Sequence, residues 1–483
     1  MNGEAPLVFE SRTSFFLKGS RPSPLPPIPF FKSPPARNQN GEELQGERAP
    51  RAVLRAWRAS HAIGAYFFGS KPPRTRSVRS GFAHRVELDR LPVVNHVREA
   101  TPPASNGMKC IDELPAVELK GKRVFLRTIL NLPTNPDGSV ADVFRLKQAL
   151  PTLKYLVNSN AKVVVAGYFG RKGESMRPVA EALQKLAPDI KMYFFGTPFS
   201  EASNEVAALR EGECLILENT RRDSGEEAND PNLSKLFASL ADLYVGDSLP
   251  DFHRTYASNV GVAKLLPAYA GFLLRDEVQH IDAARNPEHP SLAILGGAKF
   301  ETKAPLIKLL LEKYDHVFIT GALANDVFKA RGLKVGRSLT SKELPGKDVL
   351  THPHFLAPVD VAVEDSGGHV KVKKPEEVSD DERIVDIGPD TVAMLAPHIA
   401  SAKFILWNGP TGIYEQGYIH YTQQIAELAA QSSAKIVIGG GDTIAAIEAT
   451  GVPQEKLGFL STGGGAMLEY LLKGTLPGIE VLK

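Results

Sequence analysis

The chain has 483 residues, 43% of them hydrophobic and 23% charged, and its formal net charge is +2. This composition is typical of a globular protein with two or three domains, and no apolar run is long enough for a transmembrane helix. Two cysteines, Cys110 and Cys214, exclude a disulfide framework and a cysteine-rich metal site. They favour a reducing compartment, so we expect a cytoplasmic protein.

Residues 1–107 differ in composition from the remainder. They carry 16 Lys and Arg against 8 Asp and Glu, and they hold 14 of the 36 prolines. No hydrophobic period is sustained there, so we predict a basic, proline-rich, disordered extension. A transit peptide is the alternative, although Glu4 and Glu10 fall early and such peptides are poor in acids. The mildly acidic body gives no sign of a nucleic-acid partner.

From residue 120 onward, short apolar runs alternate with helical patterns. The first series of predicted strands is KRVFLR, AKVVVAGY, IKMYFFG, ECLILEN and DLYVGD, and the second is SLAILGG, HVFITG, KFILWNG, KIVIGGG and LGFLSTGGG. Strands alternating with helices predict parallel sheets covered on both faces. We therefore predict two doubly wound α/β domains, with residues 267–287 forming one long connecting helix.

Ligands of open α/β sheets bind beyond the carboxyl ends of the strands. In the second series those positions are rich in glycine: LGGAK (295–299), TGALAND (320–326), NGPTG (408–412), GGGDT (439–443) and STGGGA (461–466). Such turns at helix N-termini present N–H groups to anions. One turn alone is more often a packing turn, but five at one edge indicate a nucleotide with several phosphates. The P-loop and dinucleotide motifs are both absent from the sequence.

Three charged residues accompany these glycine turns. Asp442 beside phosphate-binding backbone suggests a Mg²⁺ ligand, and the alternative is an acid that only stabilises a helix N-terminus. Lys299 and Lys303 are four residues apart on one predicted helix face. At a phosphate-binding edge we interpret them as cationic clamps rather than as a solvated face.

The corresponding edge of the first series is rich in arginine. The residues that follow its strands or open its helices include Arg127, Asn131, Arg145, Arg171, Arg221, Arg222, His253 and Arg254. Any one of them is most often a surface residue, but their convergence suggests a small, highly anionic substrate. A basic site facing a nucleotide is a layout for phosphoryl transfer, which needs alignment, charge neutralisation and exclusion of water.

Five segments, GGAKFETK, WNGPTGIYE, VIGGGDT, STGGGAMLE and GTLPGI, resemble the phosphoglycerate kinase family in order and spacing. The resemblance runs from about Lys109 to Lys483. It implies a hinge-bending enzyme that moves a phosphoryl group between 1,3-bisphosphoglycerate and ADP, with Mg²⁺. It also implies a 3-phosphoglycerate-binding domain (108–275), a nucleotide-binding domain (276–468) and a segment returning to the first domain (469–483). The expected state is a cytoplasmic monomer without a membrane partner.

The resemblance also implies roles for individual residues. The glycerate phosphates would be held by Asn131, Arg145, Arg171, Arg221 and Arg254. The nucleotide would contact Gly297, Lys299, Lys303, Asn408, Glu415, Gly439, Gly440, Gly441, Asp442, Thr443, Gly463 and Gly464. The catalytic group would comprise Arg145, Lys299, Gly441 and Gly464, and Asp442 would hold Mg²⁺ through its nucleotide complex.

The departures from the family pattern lie almost entirely in the substrate half. Ile129 stands where the family has an aspartate for the glycerate hydroxyl, and Tyr168 replaces a histidine. Pro250 and Asp251 occupy a loop that usually holds Gly and Thr. Three interpretations therefore stay open: an active kinase with weakened substrate contacts, a nucleotide-binding pseudoenzyme and, from composition alone, a binding protein that uses the basic extension. An aspartate restored at position 129 would either improve catalysis or be buried and unpaired, if Ile129 packs against Phe169 or Leu249.

Overall fold

A computed structural model of the chain describes residues 7–8, 107–170 and 173–483. In this part of the chain the backbone forms two α/β domains, each on a largely parallel sheet, and one small antiparallel sheet. The predicted fold class is thus confirmed. No helix in the described ranges is long and apolar enough to cross a lipid bilayer.

The first sheet has seven strands in the order β1-β4-β5-β3-β2-β6-β7. They are β1 Leu7–Val8, β2 Arg123–Thr128, β3 Lys162–Ala166, β4 Met192–Phe195, β5 Cys214–Leu217, β6 Leu243–Asp247 and β7 Ala268–Ala270. Its helices are α1 Ala116–Leu119, α2 Phe144–Asn158, α3 Arg177–Leu186, α4 Ala202–Ala208, α5 Gly225–Ala228 and α6 Pro231–Ser239. The central strands β3 and β5 are almost wholly buried, as expected of apolar runs covered on both faces.

Strand β1 lies within the segment for which the sequence predicts disorder. Leu7 and Val8 pair antiparallel with Phe194 and Tyr193 of β4. The sequence predicts that most of residues 1–107, not every residue, is disordered, and this pairing of two residues is compatible with that prediction. The other residues of the extension, up to residue 106, lie outside the described ranges.

The second sheet is parallel, with six strands in the order β10-β9-β8-β14-β15-β16. They are β8 Ser291–Leu295, β9 His316–Ile319, β10 Phe355–Leu356, β14 Phe404–Asn408, β15 Lys435–Ile438 and β16 Phe459–Leu460. Helices α8 Phe300–Lys313, α9 Ala322–Ala330, α10 Lys347–Leu350, α11 Pro389–Ser401, α12 His420–Gln431, α13 Gly441–Thr450 and α14 Gly465–Lys473 follow in chain order.

A third sheet, β12-β11-β13, is antiparallel and was not predicted. Its strands are β11 Val361–Glu364, β12 Val370–Lys373 and β13 Arg383–Ile387. The strand β12 alternates valine with lysine and is exposed over most of its length, so it lacks the long apolar run by which the other strands were recognised.

The predicted helix 267–287 is wrong at its start. Ala268–Ala270 forms the edge strand β7 against β6, and helix α7 runs only from Phe272 to Arg285. A Cβ atom at Gly271 would collide with the side chain of Asp247, which accepts a hydrogen bond from the Leu274 amide at 3.2 Å. The buried acid thereby stabilises the first turn of α7, and only glycine fits beside it.

Helix α7 packs into the cores of both domains. Leu274, Val278 and Ile281 are fully buried in one cluster that contains Phe125 of the first sheet and Ala293 of the second. On the same helix, the buried Glu277 carboxylate accepts hydrogen bonds from Ser461 and Thr462, which precede α14.

The C-terminal residues lie against the first domain. The Gly478 amide in α15 (Pro477–Glu480) donates to the Phe252 carbonyl at 2.9 Å, and the Lys109 amide donates to the Leu482 carbonyl at 3.1 Å. Leu476, Ile479 and Leu482 are buried in the shared core. The boundary of this segment at residue 469 remains a prediction.

Deletion of residues 1–107 should leave the melting temperature within about 3 °C of that of the full chain. The reason is that β1 adds only a two-residue edge pairing, whereas β2–β7 and the second sheet lie beyond Met108. Thermal unfolding of both forms measures the effect. A loss of about 10 °C would show that the extension packs on the body.

Candidate active site

The carboxyl ends of the first sheet carry a connected polar surface. Arg145, at the start of α2, donates from Nη1 to the carbonyl of Asn131 at 2.7 Å. The Asn131 side chain accepts from the Gly170 amide at 2.9 Å. The loops after β2 and β3 are therefore held together at the place where the sequence predicts a substrate.

Two further arginines join this surface through aromatic side chains. The Arg221 guanidinium lies 3.7 Å from the ring centroid of Tyr168 and donates to the Gly170 carbonyl at 3.2 Å. Arg221 and Arg254 both donate to the Tyr256 hydroxyl, at 3.3 and 2.8 Å. Three of the four arginines assigned to the substrate, Arg145, Arg221 and Arg254, thus belong to one network.

The sequence predicts three further arginines at the first edge, and the structure gives each of them a different outcome. Arg171 lies outside the described residues. Arg127, counted with the others in the sequence, is fully buried and forms an ion pair with Asp251. Its Nε also donates to Ser258 at 2.9 Å, so it is not available to a ligand. Arg222 is more exposed and pairs with Glu218 at 2.9 Å.

The position of Ile129 indicates whether an aspartate placed there would reach the ligand or be buried without a partner. Its side chain is 2% exposed and packs with Ala149 of α2 and Leu273 of α7, rather than with Phe169 or Leu249. Ile129 is therefore a core residue that holds two helices against the sheet.

The carboxyl ends of the second sheet border a cavity of about 480 Å³. It is lined by glycine turns, by residues of the third sheet and by acidic side chains, among them Gly297, Gly321, Arg383, Tyr414, Glu415 and Asp442. This volume lies in the range of small-molecule sites. The arrangement brings Gly297, Glu415 and Asp442 together at one cavity.

Beside this cavity, Lys303 anchors a chain of hydrogen bonds. Its Nζ donates to the Gly296 carbonyl at 2.5 Å and to Asn408 Oδ1 at 2.7 Å. Asn408 Nδ2 donates in turn to the Gly439 carbonyl, which also accepts from Thr443 Oγ1. Burial lowers the pKa of Lys303 to about 8, and Asp442 opposes this shift.

The three glycines of GGGDT have three different roles. A Cβ atom at Gly439 would overlap the Met467 sulfur, so this glycine is required for packing. Gly440 has a φ of +97°, in the region where side chains are strained. Gly441 meets nothing within 4 Å and starts α13. Among the three, Gly441 is the one with open space in front of its backbone.

Lys299, Asp442 and Glu415 are all exposed. Lys299 precedes the first residue of α8, and Asp442 lies in the first turn of α13. The Tyr414 hydroxyl donates to Asp442 Oδ1 at 3.4 Å. Within the described ranges, no three His, Cys, Asp or Glu side chains cluster to hold a metal ion by themselves.

The glycine turn before α14 lies between the domains. A Cβ atom at Gly463 would come within 2.6 Å of Leu249 Cδ2 in the first domain, and Gly464 has a φ of +53°. Neither lines the 480 Å³ cavity. Their neighbour Gly465 lines a second cavity of about 290 Å³ together with Lys303.

Sequence reasoning missed several residues of these surfaces. Tyr256 was missed because an isolated tyrosine near an arginine is common on protein surfaces and does not by itself indicate a site. Arg383 was missed with the third sheet, whose strand β13 it begins. It donates to Glu364 at 2.6 Å and to Gln416 at 2.8 Å, which ties this sheet to the turn that carries Glu415.

Known proteins resemble this chain in sequence and in fold. The phosphoglycerate kinase family model matches residues 114–474, which include every candidate site residue. A phosphoglycerate kinase of Thermus thermophilus is 40% identical over 385 residues, covering 75% of this chain and 97% of the relative. That of Gloeothece citriformis is 39% identical over 399 residues, covering 77% and 98%. The structure of phosphoglycerate kinase from Coxiella burnetii matches with a TM-score of 0.67 and 32% identity, covering 78% of this chain and 98% of that chain.

Replacing Ile129 by aspartate should lower the free energy of unfolding by about 3 kcal/mol or more, because the new carboxylate would be buried without a partner. Denaturant unfolding measures the loss. The matched control is Ile129→Val, which should cost only about 1 kcal/mol. An aspartate variant of normal stability would mean that position 129 can turn toward the ligand.

Proposed function

The chain belongs to the phosphoglycerate kinase family, and from this membership we propose that it transfers a phosphoryl group reversibly between 1,3-bisphosphoglycerate and ADP, giving 3-phosphoglycerate and ATP. Enzymes of this family are phosphotransferases with a carboxyl group as acceptor, and they act in glycolysis. The observation that carries the proposal is a pair of surfaces: linked arginines at the strand ends of the first sheet and a glycine-lined cavity at the strand ends of the second. We place the protein in the cytoplasm as a monomer.

In this proposal the first edge binds the phosphorylated acid. Arg145, Arg221 and Arg254 supply planar guanidinium groups, which suit phosphate and carboxylate oxygens. Asn131 holds Arg145 and the Gly170 loop in place. Arg171 is assigned to the same group from its position in the sequence.

The second edge binds the nucleotide. Glu415 at the cavity wall suits a ribose hydroxyl, and Gly441 leaves room for phosphates near the backbone. Lys303 lies next to these turns, where its charge would meet the phosphates. Lys299 is exposed at the start of α8 and has no competing ion pair among the described residues. It can therefore stabilise the phosphoryl group in transfer, and the glycine turn at Gly463 and Gly464 would assist it.

The donor set fits a Mg²⁺ ion that arrives with the nucleotide. Asp442 offers one exposed carboxylate beside the cavity, and no complete cluster of protein ligands surrounds it within the described residues. Mg²⁺ commonly takes one or two carboxylates, several waters and substrate phosphates. When bound, the ion would neutralise phosphate charge next to Asp442.

The alternative is a pseudoenzyme that binds nucleotide without turnover. The departures at positions 129, 168 and 251 favour it, because they remove family contacts to the glycerate. The retained network of Arg145, Arg221 and Arg254 favours turnover, because it supplies the anion-binding charge on which phosphoryl transfer depends.

A coupled assay for ATP formation from 1,3-bisphosphoglycerate and ADP tests the proposal. We expect turnover, and Lys299→Met should lower kcat by about 10²–10³ while nucleotide affinity stays within a few-fold. Lys308→Met, on the same helix and paired with Asp348, is the control and should keep normal kcat. Nucleotide binding without any turnover would establish the pseudoenzyme.

The lowered pKa of Lys303 predicts proton uptake on nucleotide binding. Above about pH 8 the free protein carries a neutral Lys303, and the phosphates restore its proton, so affinity should fall as the pH rises through 8. Calorimetry in buffers of different ionisation enthalpy measures the protons bound. Lys303→Met should abolish the uptake and Lys308→Met should retain it; equal uptake in both variants would assign the proton to another group.

A further inference from the structure

Tyr256 sits between two arginines that come from different loops. Arg221 follows β5 and Arg254 follows β6, and both donate to the same phenol oxygen. Two guanidinium groups that share one acceptor are close enough to repel each other. The oxygen of Tyr256 offsets this repulsion and sets the distance between them.

The tyrosine itself is held firmly. Its side chain is 4% exposed, and its amide donates to Asn259 Oδ1 at 2.7 Å. Asn259 also donates to the carbonyl of Arg254 at 3.1 Å. Beneath this loop, the buried ion pair of Arg127 and Asp251 fixes the residues that lead into it. The phenol oxygen therefore occupies a defined position before any ligand arrives.

The guanidinium plane of Arg221 is also restrained. The Arg221 guanidinium lies on the ring of Tyr168, and its Nε is 3.3 Å from Glu227. Glu227 lies next to Nε and the Gly170 carbonyl accepts from Nη1, so Nη2 is the nitrogen that reaches Tyr256. Tyr168 thus restricts how Arg221 can turn, and Tyr256 restricts where it can move.

The hydrogen-bond pattern assigns the phenol proton as well. The oxygen accepts two N–H groups, so its own O–H must point elsewhere, and no acceptor for it occurs among the described residues. A phosphate or carboxylate oxygen lying between Arg221 and Arg254 would accept this proton. An anion would then meet two cations and a hydroxyl donor that are already in place.

We propose that Tyr256 is a positioning residue of the substrate site, which holds Arg221 and Arg254 at a fixed spacing for one anionic group of a phosphorylated carboxylic acid and donates its hydroxyl proton to that group. This inference rests on the proposed function for the identity of the ligand. It assigns to Tyr256 a role in acid binding, with no role toward the nucleotide.

The test compares Tyr256→Phe with the full chain and with Tyr155→Phe, which removes a hydroxyl from a half-buried tyrosine of α2 outside this network. Tyr256→Phe should raise KM for 3-phosphoglycerate by about 10-fold or more, because a hydrogen bond to a charged group is lost. kcat, KM for ATP and the melting temperature should stay close to those of the full chain. Tyr155→Phe should leave both KM values unchanged.

Calorimetric titration with 3-phosphoglycerate separates this inference from the proposed function. If the full chain binds the acid without turnover and Tyr256→Phe weakens binding, the proposed function fails and the role of Tyr256 stands. If the chain turns over and KM for the acid stays within twofold in Tyr256→Phe, the inference is overturned. Equal increases in both KM values, or a large loss of melting temperature, would also overturn it, because they indicate a purely structural tyrosine. Absence of binding to the full chain would overturn both proposals.

Discussion

The position of the glycine turn before α14 depends on one buried carboxyl group in helix α7. Glu277 has no exposed surface, and a charge or polar group buried in this way is stable only when its oxygens are hydrogen-bonded. Ser461 and Thr462 supply those bonds from the turn that leads into α14. The same helix contributes Leu274 and Val278 to the shared core. The glycine turn of the second domain is therefore positioned by a helix that is packed into the first.

A second buried charge organises the basic surface. Arg127 and Asp251 neutralise each other inside the first domain, and Ser258 links Arg127 to the buried Glu226. Leaving either charge unpaired in such a place costs several kcal/mol. Both ends of the loop from Asp251 to Ser258 are consequently tied to Arg127. The positions of the more exposed arginines on this surface therefore depend on the buried Arg127.

The sequence predicted some parts of this structure and not others, and the difference follows from how local each signal is. The glycine turns were recognised because each needs only a strand end, two or three glycines and a helix start. Strand β12 of the third sheet was missed because Val370 and Val372 are exposed and carry no burial pattern. The strand β7 was merged into a helix because Gly271 reads as a tolerated helical residue until its contact with Asp247 is known. The pairing of Arg127 joins residues 124 positions apart, which no local pattern encodes.

The return of the C-terminal segment to the first domain has a consequence for biosynthesis. Leu476, Ile479 and Leu482 leave the ribosome only after the whole second domain, yet they complete a core shared with Phe252. While the second domain is being translated, this apolar face of the first domain stays uncovered. Native packing of the first domain is thus completed only after the second domain has been synthesised. A nascent chain stalled just before residue 476 would expose this apolar surface to chaperones.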